Sequence, residues 1–391
     1  MSHAFIGVGQ CGCGILDAIF EHKNMFRVAT PIAVNSATQD LMNLKNIPRK
    51  FWLGVSRNYG LVEGTTRGFD ELVTGGFGKN PQRGSLIVEE HYRQLKDVLT
   101  GRIGGKRTKE SKQERETPFL FLSLGLGGGT GSGTAHAIAR AVKELYDIPI
   151  IVIAVLPAKR EGTITAWNAW LSLNKLFDYA DSFILVDNER ISHFKSMESL
   201  YKAYNTYIAD GITDLVTATI LEKIKPTDFE VNPPVIDVQD MITATSFYGT
   251  QVSKPGFAVM GKVTDRIRDL AHYLVPLGGY KKLSSAYMIQ RAMKMLTVPG
   301  VDPGNAMKNL ALLRLPAHYV KKRGKLNTNE IIEILRKYST TQETHFGIGL
   351  TRRNLASLTL LETFSPDKIP RLWEIENMAR EHEKLSMRIF E

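Results

Sequence analysis

Cysteine is nearly missing from this chain: only Cys11 and Cys13 occur among 391 residues. They stand one residue apart, a separation that strains a mutual disulfide, so a disulfide scaffold is excluded. Without further cysteines, Cys-x-Cys also has little from which to build a metal site. Long apolar runs are missing as well. None approaches the roughly 20 residues needed to cross a bilayer, and no basic region leads into a signal-type apolar core at the start, so a cytoplasmic location is expected. Internal repeats and extended low-complexity segments are absent. Acidic residues are in the minority, 40 against 50 Lys+Arg for a net charge of +10, which in general favours an anionic partner. Much of the excess, however, sits in Arg102, Lys106, Arg107, Lys109, Lys112 and Arg115. These lie in a Gly- and Ser-containing stretch, 101–117, where Ile103 is the only aliphatic residue. Such a run reads as a solvated surface loop, and no nucleic acid partner is expected.

One further absence is local. Gly127-Gly128-Gly129-Thr130-Gly131-Ser132-Gly133 follows the apolar run Phe119–Leu124, yet Thr134 stands where a Walker loop would carry its lysine. The stretch suits phosphate by other means. Glycines let backbone N–H groups converge on an anion, Thr130 and Ser132 add hydroxyls, and a helix pattern starts at Ala135 with its N-terminal dipole aimed at the same point. A linker is not normally wedged between a buried strand and a helix. Charge would then be neutralised by amides and a metal ion, which argues against the ordinary P-loop class.

The length exceeds what a single core usually supports, so two domains are expected. Short apolar, β-branched runs at Ala4–Val8, Val28–Asn35, Phe119–Leu124, Ile148–Leu156 and Phe183–Val186 alternate with helical patterns. This alternation predicts a parallel, Rossmann-like α/β sheet that binds its ligand beyond the carboxyl ends of its strands. Apolar positions recurring from about Met197 to Lys223 predict a long central helix of about 40 Å, ended by Pro226, Pro233 and Pro234. Beyond it, Gly256–Gly261, Leu310–Leu315 and Leu355–Leu361 read as strands of a smaller α+β domain with a mixed sheet. The tail from Arg371 puts Leu372, Ile375, Ala379, His382, Leu385 and Ile389 on one helical face, expected to pack on its own domain. The expected division is 1–196, a nucleotide-binding domain; 197–225, the central helix; and 226–391, the C-terminal part with that helix.

A first glycine turn, Gly7-Val8-Gly9-Gln10-Cys11-Gly12-Cys13-Gly14, satisfies the dinucleotide spacing at Gly7, Gly9 and Gly12. The acidic residue that such a fold wants about 20 positions on is replaced by Asn35-Ser36-Ala37. A nicotinamide-dependent oxidoreductase therefore rests on this turn alone, and two phosphate turns in one sheet suit a nucleoside triphosphate better. Both turns resemble those of tubulin and the bacterial division protein FtsZ. Asn35–Leu41 and Gly75–Pro81 resemble the superfamily's loop after the second strand and its loop that senses the terminal phosphate, in matching order. Leu312–Pro316, Ala356–Leu361 and Ile369–Leu372 look most like the archaeal tubulin-like CetZ group.

What the resemblance implies is a cytoskeletal GTPase that polymerises head to tail, with GTP or GDP and Mg²⁺ as ligands and no metal-binding residue directly assigned. A role in cell shape or division follows from it, with any membrane association indirect. Carried onto this sequence, the nucleotide contacts are Gly9, Gln10, Cys11, Gly12, Gly14, Asn35, Gly78, Gly127, Gly128, Gly129, Thr130, Gly131 and Ser132. To these it adds Glu161 for the ribose, Asn188 for the base and Asp214 as the carboxylate that reads guanine. Thr165 stands where FtsZ has an arginine. Asp237 and Asp240 in Ile236–Met241 match the loop that completes the GTPase site of the neighbouring subunit, Asp240 as main acid and Asp237 as helper. Aspartates at a helix start are also plain caps, and Asp214 is equally readable as an exposed helix residue. Val235 replaces the family's asparagine, which leaves a nucleotide-dependent filament or regulatory protein with little hydrolysis as the alternative.

Overall fold

The computed structural model describes residues 3–103, 119–192, 197–217, 236, 238–247, 255–267, 283–323, 328–338 and 343–389. Asp237, most of the basic stretch, the central helix beyond Thr217, Pro226, Pro233, Pro234 and Val235 lie outside the described residues.

Within them, eleven strands form one sheet. They are β1 (His3–Val8), β2 (Ala29–Asn35), β3 (Trp52–Ser56), β4 (Gly60–Glu63), β5 (Leu120–Gly125), β6 (Ile150–Leu156), β7 (Ser182–Asp187), β8 (Gly256–Arg266), β9 (Lys308–Pro316), β10 (Glu343–Thr351) and β11 (Leu355–Phe364). The spatial order is β10-β9-β11-β8-β7-β6-β5-β1-β2-β3-β4. Only β4 and β11 run against their neighbours, so the other nine share one direction. A mostly parallel α/β half thus adjoins a mixed half, as the sequence predicts. β7 and β8 pair in parallel at Ser182↔Gly256 to Leu185↔Val259, which joins the halves through backbone bonds.

The central strands β6 and β7 are buried along their whole length. Their Ile-, Val- and Leu-rich runs suit a sheet covered by helices on both faces. Three strands were not legible. β3 and β4 are too short to display a period, and β10 is interrupted by Gly347 and Gly349.

The central helix spans Met197–Thr217 in the described residues and buries Ile208, Ala209, Ile212 and Leu215. It lies along the helix Gly9–Ile19. The terminal helix Pro370–Ile389 departs from expectation: it packs on the helix Thr163–Phe177 of the first half. Leu372 and Ile375 join the core cluster that includes Ala166, Ala169 and Leu173. Arg371, itself buried, donates to Asp187 Oδ2 at 2.9 Å and to the Pro157 carbonyl at 2.5 Å. A buried guanidinium needs such partners, and both sit at the carboxyl ends of β6 and β7.

Candidate functional site

Because the strands run together, the segments that leave their carboxyl ends converge at one edge. Gly9 follows β1, Ser36 follows β2, Leu126 follows β5, Pro157 follows β6 and Asn188 follows β7. Two glycine contacts set how closely they approach. Gly9 adopts φ +70°, a left-handed conformation, and a Cβ there would come within 3.0 Å of Gly131 N. A Cβ on Gly129 would lie 2.2 Å from the carbonyl oxygen of Gly78, itself at φ +61°. Side chains are thus barred where the two glycine turns and the 75–80 loop meet, which leaves a surface of backbone.

The polar groups of the cradle are mutually anchored. Ser36 Oγ and Thr130 Oγ1 lie 2.7 Å apart, and Ser132 Oγ donates to the Leu126 carbonyl. Asn168 Nδ2 donates to the carbonyls of Lys79 (3.0 Å) and Gly127 (3.2 Å), a tie that sequence reasoning missed. Asn35 is buried and spans its own loop, donating to Asp40 Oδ2 at 3.1 Å and accepting from Ala37 N at 3.2 Å. Gln10 and Gly128 are exposed at the rim, and the helix Thr130–Tyr146 starts within the loop.

Beside this backbone cradle sits a second group. Glu161 Oε1 accepts from Ala158 N at 2.8 Å and lies 3.5 Å from Asn188 Nδ2, so the candidates for ribose and base meet. Burial, with the Glu161 charge contributing, pushes the Cys11 thiol up to about 12, so it stays protonated and unreactive. Cys13 is deeper, with Sγ 3.3 Å from the Gly7 carbonyl, and burial raises its thiol further. Both cysteines are free. Tyr201 of the central helix joins the group: burial and then the Glu161 charge raise its phenol. Asn205 lies over Gly14, where an added Cβ would approach its Nδ2 to 2.9 Å. Sequence reasoning missed Tyr201 and Asn205, although their i, i+4 spacing puts them on one helix face.

Asp214 is elsewhere, and the expectation that it reads guanine is corrected. Its Oδ2 accepts from Lys262 Nζ at 2.7 Å and Ser357 Oγ at 3.0 Å, and its Oδ1 accepts from Arg314 Nη1. Burial alone would raise this carboxyl, but the Lys262 and Arg314 cations more than offset it and hold it below the ordinary range. Both oxygens face β8, β9 and β11, so Asp214 fastens the central helix to the mixed half of the sheet.

Asp240 lies at the opposite edge. Its helix, Val238–Thr245, packs at the amino-terminal ends of β8, β9 and β10. Thr363, near the end of antiparallel β11, donates to the Ala244 carbonyl at 2.7 Å, and Lys308, the first residue of β9, donates to the Thr243 carbonyl at 2.8 Å. His345, the third residue of β10, is 3.4 Å from Asp240 Oδ1. The intervening strands β5 to β7 are six or seven residues long. At about 3.3 Å per residue, the sheet therefore separates Asp240 from the cradle by about 20 Å.

A family model described as the Tubulin/FtsZ family, GTPase domain, matches residues 106–196. The tubulin-like protein CetZ2 of Haloferax volcanii is 32% identical over 222 residues, 56% of this chain. The match covers 54% of that relative, so the chain spans about half its length. Among solved structures, the GDP-bound monomer of CetZ1 from Haloferax volcanii superposes with a TM-score of 0.73 at 21% identity, covering 98% of this chain and 100% of that one. The GTPγS-bound protofilament of CetZ2 from the same organism gives 0.71 at 21% identity, with 98% and 100% covered. At such identities the structural likeness is one of fold.

Proposed function

We propose that the chain is a GTPase of the tubulin/FtsZ superfamily, of the CetZ-like kind, that hydrolyses only where two copies stack head to tail, a reading supported by the family-model match and by the CetZ relatives and fold neighbours. GTP occupies the cradle, with its phosphates on the backbone of Gly9–Gly12 and Gly127–Ser132. The ribose and base lie toward Glu161, Asn188, Tyr201 and Asn205. Asp240 of the next copy supplies the acid, with Asp237 beside it in sequence. The observation that carries this reading is the placement of Asp240 and the cradle at opposite edges of one sheet. No motion within a packed core spans about 20 Å, whereas a second copy stacked head to tail can present its acidic edge to the first copy's cradle.

Phosphoryl transfer needs in-line positioning and charge neutralisation more than covalent chemistry. Asp240 would accept a hydrogen bond from the attacking water and orient it, and the amides of the glycine turns would hold the phosphate oxygens. The donor set suits Mg²⁺. Among the described residues no cluster of three or more His, Cys, Asp or Glu forms a protein cage, while Ser36, Thr130 and Asp40 offer oxygens beside a phosphate site. That matches a cation carried mainly by phosphate and water. When bound, the ion would offset phosphate charge.

Filament assembly in the cytoplasm, with a role in cell shape or division, completes the reading. No helix among the described residues is long and apolar enough to cross a membrane. The test is sedimentation with GTP against GDP, paired with phosphate release per subunit as protein concentration is raised. The reading predicts polymer with GTP and specific activity that climbs with concentration. A second reading, assembly without appreciable hydrolysis, rests on Val235 standing where the superfamily has an asparagine, and polymer without phosphate release would select it.

A further inference from the structure

Lys79 bridges two walls of the cradle. Its Nζ donates to the Glu161 carbonyl at 3.3 Å, 82 residues away, and so links the 75–80 loop to the segment that follows β6. The rest of its loop is fixed. Phe77 is buried in the core, the Asn80 side chain accepts from Arg83 N at 3.2 Å and caps the helix Pro81–Glu90, and the Lys79 carbonyl accepts from Asn168. On either side of Lys79, the Gly78 carbonyl oxygen and Asn80 N press on the second glycine turn, 2.2 Å and 3.2 Å from where a Cβ on Gly129 would lie. Backbone held this firmly against the phosphate turn carries an exposed lysine side chain.

The hold on its ammonium is slight. One neutral carbonyl at 3.3 Å is a long partner for a charged group with three donors. The Glu161 carboxylate is engaged elsewhere, with Oε1 accepting from Ala158 N and facing Asn188. Neighbouring cations are committed: Lys159 to Glu374 at 3.0 Å, Arg160 to the Ser192 carbonyl at 2.8 Å and Arg57 to the Gly76 carbonyl at 3.1 Å. Thr134 stands in the place of a Walker lysine, and Thr165, packed against Gly127, is neutral. Lys79 is thus a loosely held cation beside an uncharged phosphate wall.

We propose that Lys79 is a specificity-determining residue that recognises the terminal phosphate: with GTP in the cradle, its ammonium leaves the Glu161 carbonyl and donates to a γ-phosphate oxygen. The proposal rests on the reading of the cradle as a GTP site. The exchange needs only rotation along a flexible four-carbon stem. It replaces a bond to a neutral oxygen with one to an anionic oxygen, the stronger kind. GDP lacks the group that draws the side chain across, so Lys79 stays on Glu161 and the affinity it adds is confined to the triphosphate.

The experiment measures affinities for GDP and GTPγS by competition against a fluorescent GDP analogue, with Mg²⁺ present and at protein concentrations that leave no pellet, for wild type, Lys79→Gln and Lys79→Arg. Glutamine keeps a donor for the Glu161 carbonyl and drops the charge, whereas arginine keeps the charge. Lys79→Gln should lose about tenfold for GTPγS, the worth of one charge-assisted hydrogen bond, and less than about twofold for GDP, as for an exposed contact. Lys79→Arg should recover most of that loss, and added salt should narrow the wild-type preference for GTPγS. A lysine that merely ties two loops together would, when changed, lower both affinities alike or neither. If Lys79→Gln keeps the wild-type ratio of the two affinities, the phosphate contact is wrong and the cradle stands. If wild type binds neither nucleotide, the cradle reading falls and the contact falls with it.

Discussion

Ser36 and Thr130, 94 residues apart in sequence, share a hydrogen bond of 2.7 Å between their hydroxyls. One opens the loop after β2 and the other starts the helix that follows the second glycine turn. The pair locks two of the cradle's walls together before any ligand arrives, so the cost of ordering them is met in folding.

Ser36→Ala leaves Thr130 without this partner in a buried setting, a loss of about 1 kcal/mol for a neutral hydrogen bond. Affinity for a fluorescent GTP analogue should fall roughly fivefold while the unfolding temperature changes little. Unchanged affinity would mean that the pair is incidental to the cradle.

Asp214→Ala should cost stability and spare base selection. It strands Lys262 and Arg314 beside each other in a buried place, a penalty of about 3 to 5 kcal/mol for breaking such a network. Urea unfolding should register that loss, while competition between GTP and ATP stays as in wild type. Loss of guanine preference with intact stability would restore Asp214 to the nucleotide site.

Glu362 gives a pH signature. It is fully buried on β11, and neither carboxylate oxygen has a hydrogen-bond partner. Burial, with the Asp302 charge contributing, raises it to about 8. The folded state therefore keeps a proton that the unfolded chain releases near its ordinary value. This contribution to stability is full below about 4.5 and is lost as pH rises through about 8. Glu362→Gln should unfold at a higher temperature than wild type at pH 8 and show little difference at pH 5. Equal melting curves at both values would contradict the assignment.

What the sequence made legible follows from which signals are local. Both glycine turns, the strands β5 and β6 and the helix after the second turn are written in adjacent residues, and the structure has them in place, although that helix starts at Thr130, within the turn, five residues before the expected Ala135. The role of Asp214 was not, because 3.6-residue periodicity says that a face is buried and leaves open what it meets. Only strand order reveals that Lys262, Arg314 and Ser357 wait opposite it, 48 to 143 residues away. For the same reason Tyr201 and Asn205 gave no signal: a tyrosine and an asparagine at i, i+4 are common on helices until the glycine turn beneath them is known. The terminal helix was expected on its nearer domain, since amphipathicity carries no address. Arg371 reaching Asp187 supplied one.

The most direct test of the shared site is complementation between two inactive variants. Asp240→Ala keeps the cradle and removes the acid. Gly128→Glu keeps the acid and puts a carboxylate at an exposed, uncrowded rim position, where an added Cβ would meet only the Gly125 carbonyl, at 4.0 Å, so it should fold yet repel phosphate. Each alone should release almost no phosphate from GTP. Mixed in equal amounts they should recover a substantial fraction of wild-type turnover, because the cradle of one variant meets Asp240 of the other. A mixture as inactive as its components, with both variants folded and Asp240→Ala still binding GTP, would contradict hydrolysis at a contact between copies.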